Sequence, residues 1–169
     1  MLIGVAADAH DHVAMVRRAV ERFNAFGCDA VVFAGDFVSP IVLPAWRGLN
    51  CRMVACFGDN EGNEAGIVGG MRILGTVGRP PFGHRFADGS RLLLAHAADD
   101  LAGGADGDHD WSVVSHTHRP KIGVDKAGRP VVNPGELCGW VSGVATVATF
   151  ETATGEATLH EVARVDRGR

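Results

Sequence analysis

Basic residues are too few in this 169-residue chain to make a positive face: 16 Lys and Arg stand against 20 Asp and Glu, for a formal net charge of −4. With a pI near 6.0, the chain lacks the electrostatic footprint of a protein that holds duplex nucleic acid by its phosphates. No stable nucleic-acid complex is expected, and a small substrate suits the chain better. No apolar stretch approaches the roughly 20 residues of a membrane-spanning helix. The first seven residues carry no cationic n-region and meet Asp8 too early for a signal peptide. The expectation is a cytoplasmic protein without membrane association. Cys28, Cys51, Cys56 and Cys138 form no Cys-x-x-Cys pair, which favours reduced thiols acting as small hydrophobes over a disulfide framework. No Gly-x-Gly-x-x-Gly follows the first apolar run, so a dinucleotide-binding oxidoreductase fits poorly.

What is present in excess is glycine, at 23 residues, about twice the usual share of ~7%. Many of these glycines close short apolar runs. Ala30 to Ala34 is followed by Gly35-Asp36, and apolar runs of this length that stop at Gly read as buried strands. Four other runs end in the same manner. Leu2 to Ala7 precedes Asp8-Ala9-His10, Arg52 to Phe57 precedes Gly58-Asp59, Leu92 to Ala95 precedes His96, and Val113 to Ser115 precedes His116-Thr117-His118. Ligands of open α/β sheets bind beyond the carboxyl ends of the strands. Three Asp and four His are therefore expected along one edge, as a metal centre of neutral imidazoles and ionised carboxylates requires.

The length fits one domain, residues 1–169. Val13, Val16, Val20 and Phe23 predict a helix over 12–26, with Asp11 as N-cap and Gly27 as its stop. The following strand makes a right-handed βαβ unit. Pro40 and Pro44 frame a short helix, Arg52 to Phe57 is a third strand, and 64–73 is a helix weakened by interior glycines. Between 97 and 110, Asp99, Asp100, Asp106, Asp108 and Asp110 mingle with Gly103, Gly104 and Gly107, a solvated mobile loop beside His96. From Arg91 onward the pattern is β-rich, with strands at 91–95, 112–115, 121–124, 130–132, 143–150 and 157–163 and hairpin turns at 126–129 and 152–156. An antiparallel second half would give sheet on sheet with helices outside.

The order Asp-x-His, Gly-Asp, Gly-Asp-Asn-Glu, His, His-x-His, followed by Asn133-Pro134-Gly135, resembles the calcineurin-like metallophosphoesterases, most closely their small single-domain prokaryotic phosphodiesterases. The resemblance spans residues 2 to about 150 and implies an α/β four-layer αββα sandwich of two mixed sheets flanked by helices. It implies two divalent ions, one held by Asp8, His10, Asp36 and His118 and the other by Asp36, Asp59, His96 and His116, with Asp36 bridging. Mixed O/N ligation suits Mn, Ni, Fe, Co or Zn without choosing among them. The implied activity is hydrolysis of a small phosphoester by a metal-bound hydroxide, and Asp59, Asn60 and His96 are the positions marked as catalytic. Alternatives on the same centre are a phosphomonoesterase or nucleotidase, and a metal-binding scaffold with weakened catalysis. A homo-oligomer is compatible with all three.

Three positions depart from the family pattern. Asp59 stands where the family has Asn, Asn60 stands where many members have a leaving-group His, and Ala97-Ala98 follows His96 where relatives place Gly-His. Outside the ligand set, His12 and Asp11 could orient ligands, although capping explains Asp11 as well. His84, His109 and His160 read as surface residues, Arg119 and Lys121 as a solvated strand end, and Asn133 as a turn former.

Overall fold

The computed structural model describes residues 1–103 and 108–165. Five-residue apolar runs form three strands, β1 (Leu2–Ala6), β2 (Ala30–Ala34) and β3 (Arg52–Cys56). They lie parallel, because helical crossovers separate them: α1 (Val13–Phe26) after β1, and a 3₁₀ turn (Pro40–Val42) with the one-turn α2 (Leu43–Trp46) after β2. A third helix, α3 (Glu64–Leu74), leads to β4 (Gly75–Gly78). Then come β5 (Phe82–Arg85), β6 (Arg91–Leu94), β7 (Trp111–Val113), β8 (Lys121–Val124), β9 (Pro130–Asn133), β10 (Val144–Glu151) and β11 (Glu156–Arg164). The first sheet has the order β11-β10-β1-β2-β3-β4 and the second the order β5-β6-β7-β9-β8. Among the described residues no helix is long and apolar enough to cross a membrane.

Strand alternation divides the interior into two cores. Val31 and Phe33 of β2 face the helices and pack with Val16, Phe23, Trp46 and Ile67. Ala30, Val32 and Ala34 face the second sheet and pack with Leu94, Trp111, Val113 and Val132. All five residues of β2 are buried, which explains an unbroken apolar run rather than an alternating one. Small residues set the close approaches. A Cβ on Gly4 would stand 2.5 Å from the Phe23 ring, so α1 lies directly on β1. One on Gly70 would stand 2.3 Å from Leu43 Cδ1, so the glycines that lower the helix propensity of α3 also let it pack on α2.

Four expectations change. The second sheet is mixed, as the family resemblance implies, and not antiparallel as the strand pattern suggests: β6 runs parallel to β7 and β7 to β9, while the edge strands β5 and β8 are antiparallel. Strands β4 and β5 were not anticipated, since Gly75, Gly78 and Gly83 dilute their β pattern. Backbone proximity selects Gly75 instead, where a Cβ would meet Met53 O at 1.8 Å. Asp11 does not cap α1. The N-cap is His12 without a side-chain bond, and Asp11 Oδ1 instead accepts the backbone N–H and hydroxyl of Ser39 at 3.0 and 2.9 Å. The acidic stretch after His96 opens as a 3₁₀ turn at Ala98–Gly103, where Asp100 accepts the Ala97 N–H at 3.2 Å. Asp108 and Asp110 both pair with Arg91, whereas Asp106, Gly104 and Gly107 lie outside the described residues.

Candidate metal centre

Each candidate ligand leaves the carboxyl end of a strand, and the chain turns abruptly there. Asp8, His10, Asp36, His116 and His118 all have positive φ, between 42° and 66°. Left-handed backbone at non-glycine residues is costly and persists only where the surroundings over-determine it. Hydrogen bonds between the loops do so. Asp8 N–H donates to Gly35 O at 3.0 Å, and Ala9 and His10 N–H both donate to Asp36 O at 3.1 Å. The loops after β1 and β2 are thus stitched into one ledge.

The seven side chains divide into two neighbouring groups. Asp8, His10, Asp36 and His118 place ligand atoms within 4.8 Å of one another, as do Asp59, His96 and His116. Asp36 joins them: Oδ2 lies 3.4 Å from His10 Nε2, and Oδ1 lies 3.5 Å from His96 Nε2. His10 Nε2 and His118 Nε2 approach to 3.3 Å. In the second group His96 Nε2 is 3.0 Å from Asp59 Oδ1, and His116 Nδ1 is 3.5 Å from Asp59 Oδ2. The first group is sunken, with Asp8 and Asp36 side chains 0% and 1% exposed, whereas Asp59 and His116 are 58% and 50% exposed.

Asp8 provides the test of whether the sunken group fits a cation. Among the described residues neither of its carboxylate oxygens has a hydrogen-bond partner, although both are buried. Burial, and then the charge of Asp36, pushes this carboxyl up to about 8. An ionised carboxylate so buried, with the His118 Nε2 at 3.8 Å as its near polar neighbour, is unfavourable unless a positive charge sits beside it. His10 is held below its ordinary value, first by burial, so its ring is neutral and carries a lone pair. Anionic oxygen and neutral nitrogen converging on one point is the donor set of a divalent metal, and the residues fit.

Several supporting residues were not singled out by the sequence. Glu136 is buried and accepts His118 Nδ1–H at 2.9 Å, directing Nε2 of that ring at the centre. Burial acts to raise the Glu136 carboxyl, but hydrogen bonds from Ser142, Val141 and His118 outweigh it and hold the group at about 2. His96 Nδ1 lies 2.8 Å from Ala34 O and 2.9 Å from the Ser115 hydroxyl, leaving Nε2 for the centre. Glu61 accepts backbone N–H groups of Asp36, Phe37, Val38 and Gly58, at 2.8–3.3 Å. The signal for Glu61 was its place in Gly-Asp-Asn-Glu, and for Glu136 its place directly after Asn-Pro-Gly. Neither pattern states that the carboxylate faces backbone or a histidine.

Asn60 donates Nδ2–H to Asp36 Oδ2 at 2.9 Å and to Asp59 Oδ1 at 3.2 Å, aligning the two carboxylates. Asn133 does more than form its turn. It accepts Gly135 N–H at 2.9 Å, and its amide also donates to Ser115 O and Thr117 Oγ1, both at 3.2 Å, anchoring the loop of His116 and His118. Arg119 and Lys121 line a cleft of about 410 Å³ together with Ser115, Thr117 and Asn133. His84, His109 and His160 lie outside the two groups and are half-buried rather than exposed. His160, for example, accepts or donates at 2.9 Å to Thr149 Oγ1.

The model of the calcineurin-like phosphoesterase superfamily domain matches residues 1–155. A phosphodiesterase of Methanocaldococcus jannaschii is 28% identical over 156 residues, covering 90% of this chain and 93% of that protein. The solved structure of an archaeal phosphodiesterase superposes with a TM-score of 0.86 at 26% identity, over 95% of this chain and 99% of its own. A phosphoesterase from E. coli superposes with a TM-score of 0.66 at 16% identity, over 96% of this chain and 100% of its own, a likeness of fold.

Proposed function

Since the chain belongs to the calcineurin-like phosphoesterase superfamily, we propose that it is a dinuclear metal-dependent phosphodiesterase acting on a small phosphoester. The observation that carries the reading is the pairing of an unpartnered buried Asp8 carboxylate with an Asp36 whose two oxygens face two separate ligand groups. Similarity to a phosphodiesterase along nearly the whole chain supports the choice of ester. Asp8, His10, Asp36 and His118 in one group and Asp59, His96 and His116 in the other would hold divalent cations, which when bound would supply Lewis acidity and an activated water for displacement at phosphorus.

The protein's own part is positioning. Asp36 spans both groups, and Asn60 fixes its orientation relative to Asp59. Glu136 and Ala34 O set the ring orientation of His118 and His96, so that neither imidazole has to reorganise when charge develops on the phosphoryl oxygens. Asp59 and His116 form the exposed rim that a substrate meets first. Arg119 and Lys121, beside the His116–His118 loop, add positive charge for an incoming anion. The Asn60 carboxamide is not an acid and cannot protonate a leaving group, which suits esters whose leaving oxygen is stabilised by the centre itself.

The test combines metal analysis of protein purified without added ions with turnover of bis(p-nitrophenyl) phosphate against p-nitrophenyl phosphate. Two ions per chain and a strong diester preference are expected. A strong monoester preference makes the protein a phosphomonoesterase, and two bound ions without turnover of either ester makes it a metal-holding scaffold.

A further inference from the structure

Beside the sunken ligand group, Trp140 leaves more than half of its side chain in solvent, at 54%, and Val141 next to it is 62% exposed. Trp46 and Trp111, by contrast, are fully interior at 0% and 1%. The Trp140 ring centroid lies 6.1 Å from that of His10 and 5.8 Å from that of His12, tilted by 30° and 34°. An indole is costly to leave half in water at a charged centre, and among the described residues nothing covers the rest of this one.

The loop that carries the ring is held in place. Glu136, which accepts His118 Nδ1–H at 2.9 Å, accepts Val141 N–H at 3.0 Å and the Ser142 N–H as well. One buried carboxylate therefore positions both a candidate metal ligand and the loop that carries Trp140. Cys138 N–H donates to Asp8 O at 3.0 Å, tying the start of that loop to another ligand. The loop that bears the indole is anchored by the same carboxylate that orients a candidate ligand, as an aromatic wall for a bound ligand requires.

We propose that Trp140 is a stacking platform for a planar aromatic group carried by the phosphoester, a nucleobase or an aryl ring, so that the substrate class is aromatic rather than aliphatic phosphoesters. The proposal rests on the phosphoesterase reading for the phosphate end of the ligand. The indole and an incoming ring offer each other a π-face without demanding a particular hydrogen-bond pattern.

Affinities would be read by isothermal titration calorimetry, which does not depend on an indole, and quenching of emission that is lost in Trp140→Ala locates the ring at the one exposed tryptophan of the three. Zinc-loaded protein would be titrated with thymidine 5′-monophosphate, phenyl phosphate, methyl phosphate and inorganic phosphate. The aromatic esters are expected to quench the emission and to bind about 5- to 150-fold more tightly than methyl phosphate, the range that one stacked ring supplies. Trp140→Ala should abolish this preference while retaining methyl phosphate affinity, and Trp140→Phe should keep most of it. Tighter binding of thymidine 5′-monophosphate assigns the platform to a nucleobase, and tighter binding of phenyl phosphate assigns it to an aryl ester. Equal affinities for aromatic and methyl esters, or an aromatic preference that survives in Trp140→Ala, overturn the proposal. Aromatic preference without hydrolysis of any ester leaves the platform standing and removes the enzymatic reading, whereas diester hydrolysis indifferent to Trp140→Ala does the reverse.

Discussion

Glu61 accepts the backbone N–H of Asp36 at 3.0 Å, although the two residues follow different strands. The same carboxylate accepts Gly58 N–H at 2.8 Å and Val38 N–H at 2.8 Å, so it is the clamp between the loops after β2 and β3. Glu61→Gln puts an amide donor where one of these N–H groups now finds an acceptor. The expected cost is about 1–3 kcal/mol of stability, the value of a polar group left unpaired, together with weaker metal retention at both ligand groups. Thermal unfolding in chelator isolates the first effect, and metal content after dialysis isolates the second. Unchanged values in both would show that water replaces the clamp.

With two ions bound as proposed, Asp36→Asn is expected to weaken both together. Its Oδ1 and Oδ2 face different groups, and the substitution removes the one negative charge that both share. His10→Ala, which touches the sunken group alone, should chiefly loosen one ion. The check is metal stoichiometry after gentle dialysis, where two ions retained by Asp36→Asn would rule out bridging.

The two groups should differ in how fast they exchange. Asp8 and Asp36 are buried, while Asp59 and His116 are half or more open to water, so a chelator should remove the ion beside Asp59 first. Asp59→Asn should speed that loss, because an amide oxygen holds a divalent cation less well than a carboxylate. At saturating metal the same variant should turn over faster, since a less anionic centre attracts a phosphoester more strongly. If Asp59→Asn changes nothing while Asn60→Ala damages metal binding, the ligand is one residue further along the chain.

Thiol reactivity offers a check on the cores. All four cysteines are free, and burial pushes the Cys28 and Cys138 thiols up to about 12. At pH 8 only about one such thiol in ten thousand is ionised, and the thiolate is the reactive species. The sign follows: with the folded value raised, the native protein should alkylate slowly at both positions across neutral pH, and the unfolded chain quickly. Peptide mapping after iodoacetamide treatment with and without urea reads this out. Rapid native labelling of Cys28 would mean that the helix-facing core opens.

Much of this arrangement is legible in the amino-acid order, for a physical reason that differs from feature to feature. The runs before Asp8 and Asp36, and the run before Asp59 after its exposed Arg52, are apolar because parallel strands covered on both faces admit no alternation, so they and their terminal candidate ligands can be read directly. The spacing of Val16, Val20 and Phe23 reports the face of α1 that packs on the sheet. Tertiary structure alone decided the rest. The second sheet proved mixed because β-rich stretches do not state which neighbour they pair with. Glycine-rich β4 is a strand owing to its backbone lying against Met53, and no local preference signals such a contact. Asp11 resembled a cap in one dimension, yet its carboxylate reaches Ser39, 28 positions away. Glu61, Glu136 and Trp140 acquire their places from hydrogen bonds and ring contacts between loops that are distant in sequence. The candidate ligands sit at strand ends, where local pattern marks them; the residues that orient them act across the fold, and only the folded chain brings them together.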